Sequence, residues 1–196
     1  MEFERKKFLA DKKMTTEIHV GNPPIQPPAT IFLCFYTRTT QPNRYSLCKN
    51  GYHRAFELLY EEQELRVIVN GQTVMRVRDL PVGDSENHLL SAVFAEGQRM
   101  TLYFDGLSVA ETICPFPIFT NKFILGDRDG QLATTNFIVL AEAVSAVKQA
   151  AFYNDGDLLN TDLVFGKIIY NFSLSKQKQV KKEAMKIDKY KNSFVF

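Results

Sequence analysis

The sequence predicts an all-β protein, a two-sheet antiparallel sandwich, and three stretches carry that expectation. Met100 to Glu111 reads Met-Thr-Leu-Tyr-Phe-Asp-Gly-Leu-Ser-Val-Ala-Glu, two strands joined at Asp105-Gly106. A type I′ turn needs positive φ at both central residues, and Asp-Gly between alternating apolar segments meets that need. Strand side chains alternate, so Leu102 and Phe104 are expected on one face and Tyr103 on the other. Leu65 to Val69 repeats the device, running into Asn70-Gly71 and returning through Gln72 to Val77. The third stretch, Thr30 to Arg38, is apolar at both parities: Ile31, Leu33 and Phe35 alternate with Phe32, Cys34 and Tyr36. A strand apolar on both faces belongs in the centre of the sandwich.

The remaining elements follow in order. Residues 1–14 alternate charges with Phe3, Phe8 and Leu9, as an arm or short helix does, and Pro23-Pro24 and Pro27-Pro28 hold the entry extended. After the Thr30–Arg38 strand, Gln41-Pro42-Asn43 turns the chain, and Tyr45–Lys49 and Ala55–Tyr60 are shorter strands separated by Asn50-Gly51. The Asn70-Gly71 hairpin comes next, then a loop over Asp79–Asn87 containing Pro81 and Gly83. His88–Ala95 is a strand, Glu96-Gly97 a turn, and the Asp105-Gly106 hairpin runs on to Pro115 and Pro117. Lys122–Leu125 and Asn136–Ala141 are strands flanking the acidic loop Gly126-Asp-Arg-Asp-Gly130. Ser145 stands at a helix N-cap position, and Asn154-Asp155-Gly156 closes the helix. Leu163–Phe172 reads as one more strand, at an edge. Ser173–Lys191 reads as a basic helix with Val180, Ala184, Ile187 and Tyr190 on one stripe. The division is an arm over 1–29, a sandwich domain over 30–172 and a basic helix and tail over 173–196.

The order and spacing of these motifs resemble a laminin G-like domain of the concanavalin A-like jelly-roll superfamily. The resemblance spans Thr30 to Gly156 and rests on the Leu-Tyr-Phe-Asp-Gly hairpin, the Phe-Ile-Leu-Gly strand and the helix from Val144 to Asn154. Lys148 departs from it, standing where the family often has glutamate, and the strand at His88 lacks the Trp that frequently opens it. What the resemblance implies is a jelly roll, with glycan binding as one of its uses. It also brings in Ca²⁺, since such domains sometimes hold it at the sandwich rim, where Asp127 and Asp129 would offer their carboxylates. Calcium takes about six to eight oxygens, so these two with an Arg between them supply too few, and no other cofactor is expected.

Composition narrows the function classes. The chain has 196 residues and a net charge of +2, unevenly placed: residues 173–196 carry +5 and residues 1–13 carry +2, leaving −5 on the body. No apolar run approaches the length of a bilayer span, and the first residues lack the apolar core of a secretory signal, so synthesis in the cytoplasm is expected. Cys34, Cys48 and Cys114 show no metal-ligand spacing and are expected as buried thiols. Catalytic signatures are missing. Jelly rolls that hydrolyse glycans set two closely spaced carboxylates along one strand; the nearest match, Glu61-Glu62-Gln63-Glu64, lies at a turn and reads as a solvated hairpin loop. His19, His53 and His88 are scattered through unlike contexts. Without Trp, sugar stacking falls to loop positions, for which Tyr45, Tyr52 and His53 are the candidates. The Lys-rich tail lacks Arg and interleaved aromatics, so nucleic acid is not an expected partner.

No enzyme activity is therefore expected. The sequence reading is a structural or assembly protein that displays its jelly roll on a larger particle, such as a virion or phage surface; the alternative is a glycan-binding or adhesion module. In the first case the partners are other protein subunits, self included. Lys181 and Lys182 would supply salt-sensitive attraction, and Tyr190, Phe194, Val195 and Phe196 apolar surface for docking.

Overall fold

The computed structural model describes residues 16–20, 25–37, 44–51, 54–84, 86–126, 132–154 and 168–173. In chain order its strands are β1 (Thr16–His19), β2 (Ala29–Thr37), β3 (Arg44–Asn50), β4 (Phe56–Glu61), β5 (Glu64–Val69), β6 (Gln72–Arg78), β7 (His88–Phe94), β8 (Arg99–Phe104), β9 (Leu107–Ile113), β10 (Lys122–Leu125), β11 (Leu132–Leu140) and β12 (Ile168–Ser173). One helix, α1 (Ala146–Asn154), lies between β11 and β12. Two six-stranded antiparallel sheets result, with orders β1-β10-β3-β4-β5-β6 and β12-β11-β2-β7-β8-β9. This is the two-sheet sandwich that the hairpins predict.

Alternation builds the core. Ile31, Leu33 and Phe35 of β2 face Leu58 and Tyr60 of β4 and Leu65, Val67 and Val69 of β5 within one buried cluster between the sheets. Leu102 and Phe104 join that cluster while Tyr103 does not, as the period of two requires. The opposite face of β2 is apolar as well, because it too is covered: Phe32 and Cys34 pack with Leu89, Ile138, Leu140, Val144 and Phe152 of α1. The rings of Phe32 and Phe152 lie 4.7 Å apart. Polar pins fix the helix on this face. Ser91 Oγ donates to Gln149 Oε1 at 2.8 Å, and Thr30 Oγ1 donates to the Glu142 carbonyl at 2.6 Å while accepting from the Val144 amide at 3.0 Å. Lys148, the departure from the laminin G-like pattern, pairs with Glu142 at 2.5 Å.

Both Gly hairpins form with positive φ at each central residue: 48° and 82° at Asn70 and Gly71, 50° and 79° at Asp105 and Gly106. They also share a bulge. In β6 the register skips Val74, and in β9 it skips Val109, each the third residue after the turn glycine. Both strands are sheet edges, and a bulge at an edge twists the open backbone away from further pairing.

Two bounds differ from the sequence expectation. Thr16–His19, read as part of an extended arm, pairs with β10 from Thr16↔Leu125 to His19↔Lys122. Ile18 is buried in the core, and Glu17 pairs with Lys122 across the strands, so the sandwich begins before residue 30. Ser173, placed at the start of the C-terminal helix, instead closes β12, which forms a sheet edge as expected. The rest of that helix lies outside the described residues. Cys34, Cys48 and Cys114 are buried and unbridged.

Candidate functional site

The β4–β5 turn, the end of β6, the loop over 79–87, the start of β7 and the β8–β9 turn gather at one end of the sandwich. The loop is pinned there. Val82 is buried, and its carbonyl accepts from Thr37 Oγ1 at 2.8 Å. Between the loop and the β4–β5 turn lies a depression of about 460 Å³ lined by Tyr60, Gln63, Asp79, Leu80, Pro81, Gly83 and Asp84. Leu80 and Pro81 give it an apolar wall above the buried Tyr60. Gln63 offers both donor and acceptor, and two carboxylates offer acceptors. No side-chain hydrogen bond ties Gln63 or Asp79 to another described residue.

The β4–β5 turn borders this depression and differs from the other two hairpins. Its central residues, Glu62 and Gln63, have φ of 54° and 62° without a glycine. Charge holds it. Arg66 donates from Nη1 to Glu61 at 2.6 Å, from Nη2 to Glu62 at 3.2 Å and from Nε to Glu64 at 2.8 Å. Glu64 also accepts from Arg76 Nη1 at 2.6 Å and Arg78 Nε at 3.1 Å. The expectation of a solvated loop is corrected here. Glu64 is only 4% exposed, covered by guanidinium groups rather than sunk in the apolar interior. Hydrogen bonds from Arg66, then Arg76 and Arg78, hold its carboxyl down to about 2. A group ionised at every working pH is no general acid, so Glu64 is not fitted to donate the proton that glycoside hydrolysis needs.

The shift has a consequence for stability. A carboxyl at about 2 in the folded state, against 4.5 as its ordinary value, stabilises the fold fully above 4.5 and progressively less as pH falls towards 2. Urea unfolding of wild type and Glu64→Gln across that range should therefore show a gap that is widest above pH 4.5 and closes in acid. A gap independent of pH would contradict it.

A second cluster sits beside the depression. His88, 5% exposed, has Nδ1 2.9 Å from Asp105 Oδ2 and Nε2 2.9 Å from Asp84 Oδ1. Its ring lies 4.8 Å from Phe104 and 5.8 Å from Phe35. Burial pushes the imidazolium down, but the carboxylates of Asp105 and Asp84 outweigh it and hold it above its ordinary value. Asp105 also accepts the Leu89 amide at 2.9 Å, and Asp84 the Glu86 amide at 2.8 Å. On the far side, His88 lines a second depression of about 370 Å³ with Cys34, Asn87, Leu89, Thr135, Phe152 and Tyr153. With both ring nitrogens engaged by carboxylates, His88 is unfit as a general base.

Of the positions singled out from sequence, Asp127, Asp129, Tyr52, His53, Lys181, Lys182, Tyr190, Phe194, Val195 and Phe196 lie outside the described residues. Tyr45 is no loop residue: it lies on β3 with its side chain buried in the core, which removes it as a stacking platform. The structure brings together residues that sequence reasoning passed over, His88, Asp84, Asp79 and Gln63. Among the described residues no cluster of His, Cys, Asp and Glu suits a metal ion, and no helix is long and apolar enough to cross a membrane.

These features define the protein as a jelly-roll sandwich with a polar rim site. No protein-family model matches the chain, and no curated protein matches it. Solved structures share the fold. The botulinum neurotoxin serotype D binding domain superposes with a TM-score of 0.58 at 11% identity, covering 72% of this chain and 43% of that one. A botulinum neurotoxin type C structure, described as dependent on two ganglioside molecules for cell entry, gives 0.54 at 7% identity, covering 65% and 35%. The sialidase of Trypanosoma rangeli gives 0.52 at 15% identity, covering 68% and 24%. The chain thus spans less than half the length of each.

Proposed function

We propose that this chain is a non-catalytic recognition module of the laminin G-like type that binds a glycan in the rim depression. One observation carries the reading: the depression has an apolar wall of Leu80 and Pro81 with Gln63, Asp79 and Asp84 set beside it. Sugars present apolar C–H faces and hydroxyl donors together, and a fixed site with this inventory meets both. Two structural neighbours, a ganglioside-dependent neurotoxin and a sialidase, are named for glycan chemistry, which supports the reading by analogy of fold. Its non-catalytic character is supported by carboxylates committed to arginine and histidine. An assembly role on a particle surface rests on the Lys-rich segment after residue 173, outside the described residues, so the geometry favours recognition.

A glycan array probed with the full chain tests this. Binding to at least one glycan is expected, with no cleavage product released. Asp79→Asn and Gln63→Ala should each weaken that binding by about tenfold, the effect of losing one hydrogen bond worth about 1.4 kcal/mol. An array without a single bound glycan, or variants that bind as tightly as wild type, would refute the site.

A further inference from the structure

We propose that charged His88 is a positioning residue for the rim site, a clasp that ties the 79–84 wall to the β8–β9 turn. The consequence for ligand binding rests on the glycan reading above, whereas the clasp itself is tested without a ligand.

Three pieces of chain meet at this ring, two of which, β7 and the β8–β9 turn, are already joined by backbone pairing. Asp84 belongs to the loop that walls the depression, Asp105 is the first central residue of the β8–β9 turn, and His88 opens β7 between them. Only the doubly protonated imidazole donates to both carboxylates at once; the neutral ring has one N–H and leaves one carboxylate facing a lone pair. Asp105 is independently fixed, since its amide donates to the Leu89 carbonyl at 2.8 Å and its Oδ1 accepts the Leu89 amide. Asp84 has no such tether to the sheet: its other bond is to Glu86, within the same loop. Loss of the proton therefore frees the Asp84 end of the loop, while Val82 stays bonded to Thr37 and the hairpin stays closed.

The groups around the ring agree with this assignment. From the loop come Asp84 and Glu86, from the hairpin turn Asp105, from β2 the Cys34 thiol and from α1 Tyr153. Burial, and then the charge of Asp105, push the Cys34 thiol well up, so it stays neutral and does not compete for the proton. Phe35 and Phe104 flank the ring and keep water from replacing its partners. Because His88 is held above 6.5, the clasp is complete below that value and opens as pH rises through the folded pKa. At the acid end Asp84, held below 3.8 by the Glu86 amide and His88 against the opposing effect of burial, sets the lower limit.

The test is amide hydrogen exchange on the full-length protein, corrected for intrinsic rates, at pH values from 5 to 9. The Glu86 amide, bonded to Asp84, should lose about tenfold in protection per pH unit above the His88 pKa, since one unit is a tenfold change in the protonated fraction. Val67 in β5 should keep its protection. His88→Gln, which cannot carry the charge, should show low loop protection with no pH step. Where that variant fails to fold, the ring's own NMR titration in wild type decides: a pKa above 6.5 supports the clasp. A pKa at or below 6.5, or a loop step that persists in His88→Gln, overturns it. Glycan binding that fails at every pH while the clasp titrates as stated would instead count against the glycan site alone.

Discussion

Gly106→Val is expected to destabilise the sandwich by about 2–5 kcal/mol, combining roughly 1–2 for a left-handed backbone with roughly 1–3 for overpacking. Gly106 has φ of 79°, which a β-branched residue resists. The space is also closed. A Cβ there would sit 3.0 Å from Tyr153 Cβ, 3.1 Å from Ala150 Cα and 3.3 Å from the Gln149 carbonyl oxygen, so the backbone of α1 itself must move. That helix covers Phe32 and Cys34 through Phe152, and a shift would open the outer face of β2. Gly97→Val is the control. Its φ is 74°, yet a Cβ would meet nothing within 4 Å, so it should cost only the backbone share. Urea unfolding of both variants measures the difference, and equal losses at the two sites would show that the helix contact contributes nothing.

Phe123→Ala should cost about 3–5 kcal/mol, the usual range for emptying a buried phenylalanine site. Phe123 is fully buried on β10, a strand of only 4 residues that links β1 to β3. Its ring lies 5.0 Å from Phe137 on the facing sheet and 5.8 Å from Phe119. Through Phe119 the contacts run on to Phe56 and Phe94, so one ring bridges the sheets and anchors an aromatic cluster. The sheet itself resists collapse into the gap, because Asn50 bonds the carbonyls of Thr120 and Lys122 from β3. A loss below about 1.5 kcal/mol in urea unfolding would mean that the core collapses into the void and removes most of the cavity cost.

Much of this architecture is written locally. Asn70-Gly71 and Asp105-Gly106 define their hairpins because positive φ is a property of two adjacent residues, and β2 announces its central place by apolar side chains at both parities. The short helix after β11 is legible for the same reason, through Ser145 and the run behind it. What the sequence alone determined is therefore a set of strands, turns and one helix whose signals lie within a few residues of each other.

Tertiary structure decided the rest, and the reason is range. Thr16–His19 is too short and too plain to read as a strand; it becomes one because β10 offers it an edge. The Glu62-Gln63 turn holds a backbone that those residues disfavour, and the guanidinium of Arg66 stabilises it. Glu64 reads as a surface charge until arginines from two strands close over it. His88, Asp84 and Asp105 lie in three separate segments, and only the folding of a loop against a turn makes them a cluster, because hydrogen bonds at 2.9 Å depend on where the chain goes rather than on which residues are neighbours along it.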